Sequence, residues 1–319
     1  MIPLKGIYDT AKWYQKVCLL LFMVVFGLVF SSSLLFILQK LTHANDTNAW
    51  WMLFEQTIAA TMTFLGSTFA YTYLTKSNPL AYLGLLKKGR IRLYLIATMA
   101  LLFMMPVVNI STYWNEQLTL PASLQSIETL MRQMEDAAKE ATLIMLSPNG
   151  IVGWLSVVFV VAFLAAACEE LLFRGCIQKG IANKTGNKHI AVWCTAMVFS
   201  FIHFQFYGFI PRLILGVVLG YFYAYSGSIR IPIWAHFLNN FLSIVYYKVV
   251  VIPSTQLYEN SNIKIIPADS ETAGIIGELD QKVANSMEDM MLYAAGICLA
   301  LYVLSMLLFV FVARNRKPQ

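Results

Sequence analysis

Charge is scarce in this chain. Only 13% of its 319 residues are Asp, Glu, Lys or Arg, where a soluble domain carries about a quarter. No repeat of fixed period and no low-complexity tail is visible, so solenoids and tail-driven binding modules are excluded. The five cysteines, Cys18, Cys168, Cys176, Cys194 and Cys298, fall in or beside apolar runs without paired spacing. Neither a disulfide framework nor a zinc ribbon fits that pattern. The formal charge is +6, yet there is no basic stripe. The cations punctuate the ends of apolar runs, which argues against a nucleic-acid partner.

What the chain has instead is apolar length. It is 58% hydrophobic with a mean hydropathy of +0.63. Eight candidate spans follow, at about 17–38, 52–75, 93–111, 151–175, 189–207, 211–226, 229–250 and 290–313. A bilayer core about 30 Å thick needs about 20 apolar residues per helix, and the segment 211–226 is the shortest fit. The first run is longer than a signal-peptide core and lacks a small-residue cleavage site, so it reads as a true span. The predicted fold is all-α: a polytopic membrane bundle of about eight transmembrane helices with an extra amphipathic helix. Within one membrane domain, the expected sections are 1–150, a catalytic core at 151–250, and an outer loop with the last span at 251–319.

Lys5, Lys12 and Lys16 precede the first span. Lys76, Lys87, Lys88, Arg90 and Arg92 follow the second, Lys179, Lys184 and Lys188 the fourth, and Arg230 the sixth, while Arg314, Arg316 and Lys317 end the chain. The alternate connections are neutral or acidic. With eight spans the basic loops share one side, which predicts a multi-pass protein with both termini cytoplasmic. Between the third and fourth spans, Leu124, Ile127, Leu130, Met131, Met134 and Ala138 recur every three or four residues. They predict an amphipathic helix that lies on the outer membrane surface or caps the bundle, the second being the commoner placement. The connection 251–288 shows no clear period.

Ionisable residues within spans are costly and point to function. The fourth span carries Cys168-Glu169-Glu170-Leu171-Leu172-Phe173-Arg174. Glu170 and Arg174, four apart, share a helix face and can pair. Glu169 points about 100° away and is left free. The fifth span contributes His203 and the seventh His236 and Asn240, again four apart, with Asn239 on another face. Each alone has a bland reading, as a helix-end charge or an interhelical hydrogen bonder. Together they suit amide hydrolysis without a covalent intermediate. Glu169 acts as general base towards a water, and His203 orients that water or moves its proton. His236 and Asn240 offer N–H donors to the developing oxyanion. One tension stands out: counted from the basic ends, Glu169 and His236 are shallow, whereas His203 lies about 14 residues, or roughly 20 Å, deep.

The patterns E-E-x-x-x-R at Glu169–Arg174, F-x-x-x-H at Phe199–His203 and H-x-x-x-N at His236–Asn240 resemble the CPBP family, which groups CAAX prenyl endopeptidases with bacteriocin-processing and immunity proteins. The motifs occur in the family's order over about 150–247, without departure. The resemblance implies an eight-helix fold with a cavity open to membrane or cytosol. It further implies catalytic roles for Glu169, His203, His236 and Asn240, supported by Glu170 and Arg174. The expected partners are the lipid bilayer and a membrane-associated peptide or protein substrate, with no cofactor. Oligomeric state is not readable. The compact loops point to a bacterial inner membrane.

Other readings use the same residues. Glu169, His203 and His236 have the donor types of a zinc site, although H-E-x-x-H is missing. A proton relay in a transporter also employs buried Glu and His, although inverted repeats are missing. A non-catalytic immunity or scaffold protein is a further alternative. Cys168 and Ser200 lack an adjacent base for nucleophilic chemistry.

Overall fold

The computed structural model describes residues 4–45, 47–253 and 270–315, the last segment with side chains from residue 290. No strand occurs among them. Helix α1 is Trp13–Thr42, and α2 runs over 49–75 through a π-helical stretch at Ala60–Gly66. After a single turn at Pro79–Tyr82 come α3, Ile91–Glu116, and α4, Gln125–Leu146. Helix α5 is Gly150–Thr185, α6 Lys188–Phe201 and α7 Phe209–Ser226. Helix α8, Arg230–Tyr246, continues through a π-helical Tyr247–Val251, and α9 is Ser270–Arg314. Seven of the eight predicted spans and the amphipathic segment fall on helices, whereas the fifth, expected at 189–207, ends as a helix at Phe201 and turns over 202–205. Residues 254–269 of the acidic connection, and Arg316 and Lys317, lie outside the described residues.

Local sequence sets many of the ends. Asn48 Oδ1 accepts from the Trp50 and Trp51 amides at the start of α2, and Asn187 Oδ1 accepts from those of His189 and Ile190 at the start of α6, side-chain caps that satisfy otherwise orphaned donors. Gly186 (φ 67°) and Gly227 (φ 61°) close α5 and α7 in the left-handed conformation, which glycine adopts without the Cβ penalty.

Helix α1 leaves Leu21, Phe22, Val25, Phe26, Val29 and Phe30 exposed along its length. A helix apolar all round, with such a surface uncovered by protein, is solvated by lipid. On its buried side, a Cβ at Gly27 would meet the Met62 carbonyl oxygen at 2.7 Å, and Ser67 Oγ donates to the Met23 carbonyl at 2.7 Å. This is the small-residue packing that membrane helices use where water cannot drive association. Opposite, Leu93, Ala97 and Leu101 of α3 form a core with Leu215, Leu219 and Phe222 of α7, Ile231 of α8 and Phe309 of α9.

Not every predicted span is a free-standing one. Among the described residues, five helical segments are long and apolar enough to cross a bilayer: Trp13–Thr42, Ile91–Glu116, Gly150–Thr185, Phe206–Ser226 and Met290–Arg314. Helix α6, with 14 residues, is only about 21 Å long. Helix α2 is rich in threonine, and α8 carries His236, Asn239, Asn240, Ser243 and Lys248. The short α6 packs Ala191, Val192, Ala196 and Phe199 inward and leaves Trp193, Met197 and Phe201 exposed.

The ends of the bundle differ in charge. At one end Arg90 donates to the Asn315 carbonyl (3.2 Å), Arg230 to that of Leu85 (2.8 Å), and Lys179 to that of Tyr82. Lys184 lies over the Trp13 ring there. At the other end α4 is the amphipathic helix that its periodicity predicts, and of the two placements open to it, it packs over the bundle. Lys139 pairs with Glu116 at 3.0 Å and Arg132 stacks on Tyr207 at 4.3 Å. Lys248 donates to the Leu146 and Pro148 carbonyls that follow from the end of α4, each at 2.7 Å. The Leu120 amide and Arg132 hold the Glu128 carboxyl below its usual range.

Candidate active site

Helix α5 is built around a short α-helical segment, Ala165–Glu170, between two π-helical stretches, Val158–Leu164 and Leu171–Gln178. Such wide turns recur at functional sites because they re-aim side chains and release carbonyls from the regular ladder. The two glutamates stand near the midpoint of the helix, which continues to Thr185. The expectation that they mark its shallow, basic end is therefore corrected. Arg174 and Gln178 are buried well beyond residue 170, and their hydrogen bonds to the Gly216 and Gly220 carbonyls (3.1 and 2.9 Å) let α5 continue against α7.

Glu170 and Arg174 are wholly buried and form an ion pair at 2.9 Å. The same oxygen, Glu170 Oε1, receives Nδ1 of His236 at 2.8 Å. With Nδ1–H donated to a carboxylate, the opposite nitrogen, Nε2, faces Glu169, whose Oε2 is 3.8 Å away. That separation is too long for a direct hydrogen bond. The Glu169 side chain keeps 16% of its surface exposed, in contrast to its sealed neighbour. Adjacent positions thus divide: Glu170 orients a ring, and Glu169 keeps its oxygens open.

His203 reaches the same region by a different route. Helix α6 stops at Phe201, part-way across a bilayer core, and Phe204 turns the chain at a positive φ of 52°, a conformation that costs a bulky residue about 1–2 kcal/mol. The turn is pinned where Ser200 Oγ donates to the Phe209 carbonyl at 2.6 Å and where Asn115 bonds Phe206 O and Ile210 N at 2.9 and 3.0 Å. His203 Nδ1 donates to the Phe199 carbonyl at 2.7 Å, since a carbonyl only accepts. In the neutral ring Nε2 then carries the free lone pair. The carbonyl one turn back thus fixes the tautomer of His203. The Phe199 ring lies 5.0 Å from His203 and 6.0 Å from His236, centroid to centroid, with the Arg174 guanidinium 5.0 Å from its centre. Glu169, Arg212 and His236 are titratable neighbours of His203.

Asn240 takes a different place. Its Nδ2 donates to the Val161 carbonyl at 3.3 Å, within the first π-helical stretch of α5, and its Oδ1 accepts from Asn239 at 3.3 Å. Asn239, read from the sequence as the residue on the other face, lines a cavity of about 800 Å³ between α3, α4, α7 and α8. The cavity adjoins the carboxylate–histidine cluster without being walled by it. Its polar lining includes Glu135, Gln205, Arg212, Asn239 and Ser243. The sequence does not mark out Arg212 or Gln205: each is a single polar residue near a helix start, and no spacing rule sets either apart.

Ser200 and Cys168 have no nucleophile geometry. The Ser200 hydroxyl is donated to a carbonyl, and Cys168 is fully buried. Among the described residues, no group of three His, Cys, Asp or Glu side chains converges as metal ligands would.

Residues 151–242 match a family model described as type II CAAX prenyl endopeptidase Rce1-like. The uncharacterized protein YpbD of Bacillus subtilis (strain 168) is 32% identical over 79 residues, which cover 24% of this chain. The match spans 37% of that protein's length. No solved structure matches. The segment that holds Glu169, Glu170, Arg174, His203, His236 and Asn240 is thus similar to the Rce1-like membrane endopeptidases, in agreement with the CPBP resemblance of its motifs.

Proposed function

We propose that this protein is an intramembrane endopeptidase that hydrolyses a peptide bond of a membrane-associated protein or peptide with water activated by Glu169. The observation that carries the reading is the His236 ring, fixed by Glu170 at 2.8 Å and facing Glu169 at 3.8 Å. Arg174 locks Glu170, so the orientation is set before any substrate arrives, as preorganised catalysis requires. A water between Glu169 and His203 Nε2 gives its proton to the Glu169 carboxylate while its oxygen attacks the carbonyl carbon. The tetrahedral intermediate collapses with loss of the amine, which takes that proton back from Glu169. His236 donates to the oxyanion from Nε2 when the ring carries both protons. Asn240 joins it once its weak 3.3 Å bond to Val161 is exchanged.

The direct test uses purified protein in liposomes with a mixture of apolar peptides, scored by mass spectrometry for new chain ends. Cleavage that persists in excess EDTA is expected. Absence of any new end, or complete loss on chelation with recovery on adding zinc, overturns the metal-free hydrolase. The metal alternative uses Glu169, His203 and His236, and the same titration decides between the two.

For placement, the reading is a bacterial inner membrane with the Lys/Arg-rich end cytoplasmic and both termini on that side, following the loop charges. The cavity beneath α4 then faces the opposite leaflet. A cysteine replacing exposed Gln133 on α4 is expected to react with an impermeant maleimide from outside intact cells, and one replacing Lys184 only after lysis. The reverse pattern inverts the topology.

A further inference from the structure

Arg212, on the first turn of α7, lines the 800 Å³ cavity yet has no carboxylate within 4.0 Å among the described residues. Its Nη2 donates to Gln205 Oε1 at 2.5 Å, and its Nη1 is buried without a hydrogen-bond partner. Glu135 and Glu169 are its charge neighbours, but Gln205 stands between Arg212 and the nearer acid, with its Nε2 3.5 Å from Glu135 Oε1. The second Glu135 oxygen is likewise unpartnered. The pocket for the guanidinium is built, since a Cβ on Gly208 would lie 2.7 Å from Nη2 and 3.0 Å from Nη1.

A guanidinium enclosed within a membrane bundle with open hydrogen-bonding capacity is expensive unless it receives an anion. Its planar fork suits two parallel bonds to a carboxylate. Resting on the hydrolase reading above, we propose that Arg212 is a specificity-determining residue that binds a carboxylate of the peptide substrate. The ligand oxygens replace Gln205 Oε1 on Nη2 and supply Nη1 with its partner. The cavity admits the chain on one side of the cluster, bordered by Asn239, Leu242 and Tyr246 of α8. The carboxylate belongs to the chain end or to an acidic side chain.

Binding separates this idea from catalysis. The Glu169→Gln protein in nanodiscs is titrated by fluorescence anisotropy with dye-labelled apolar hexapeptides in three forms: free acid, C-terminal amide, and amide with one internal glutamate. At least one carboxylate form is expected to bind tenfold or more tightly than the plain amide. That advantage is expected to vanish in Arg212→Met and to survive in part in Arg212→Lys. Gly208→Ala, which displaces the guanidinium without removing it, is expected to weaken the preference as well. Equal affinity for all three forms, or an acid preference that persists in Arg212→Met, overturns the proposal. In that case hydrolysis by the wild-type chain is unaffected as a reading. Conversely, a preserved acid preference on a protein that cleaves nothing leaves Arg212 as a binding residue and removes only the hydrolase.

Discussion

Glu169→Gln is expected to lower peptide cleavage by about 10²–10⁴-fold, the contribution of a positioned general base. The amide keeps the shape of the carboxylate and cannot take a proton from water. Among the described residues the side chain makes no hydrogen bond that holds the fold; its nearest ionisable contact is His236 Nε2 at 3.8 Å. Thermal stability in detergent is therefore expected to change little. Activity and stability thus separate at this position, which is the signature of a group whose task is chemical. Near-normal cleavage by Glu169→Gln would remove the assigned role. His203→Ala is expected to reduce turnover in the same assay.

Arg174→Met has the opposite character: its first effect is on stability. Arg174 and Glu170 are wholly buried, and removing one partner of a buried ion pair leaves an uncompensated charge at a cost of about 3–5 kcal/mol. The Gly216 carbonyl also loses its donor. Loss of folded protein on extraction is the expected outcome. In the double variant Glu170→Gln/Arg174→Met no charge is stranded, so a large part of the lost stability is expected to return. Cleavage is not expected to return with it, because His236 Nδ1 loses the carboxylate that orients it. A thermal-unfolding series over the single and double variants checks this. Equal destabilisation by the single and double substitutions would show that packing, not charge, governs the site.

These two positions also show how much of the site was readable beforehand. The i, i+4 relation of Glu170 and Arg174 follows from helix geometry and needs no partner helix, so their pairing was legible and so was the freedom of Glu169. The depth of His203 was not. Its mismatch with Glu169 arises because apolar patterning alone gives both helices ordinary boundaries. In the structure α5 continues to Thr185, which places Glu169 near its middle, and α6 ends at Phe201, which turns His203 into the interior. Likewise the choice between Asn239 and Asn240 depends on which face of α8 meets the cavity and which meets Val161. Spacing within one helix does not contain that information.

From its residues alone, this chain had to lie in a membrane as an all-helical bundle with an amphipathic helix, because apolar runs of that length have no other solvent and periodicity is a local property. Its motifs likewise named the ionisable side chains that lipid would not tolerate without a purpose. What the packing alone decided was who faces whom. Glu170 is sealed and Glu169 open, Asn239 lines the cavity, and Arg212 waits beneath α4. Each of these depends on where a neighbouring helix stops or widens, a matter of long-range contact that no window of sequence carries.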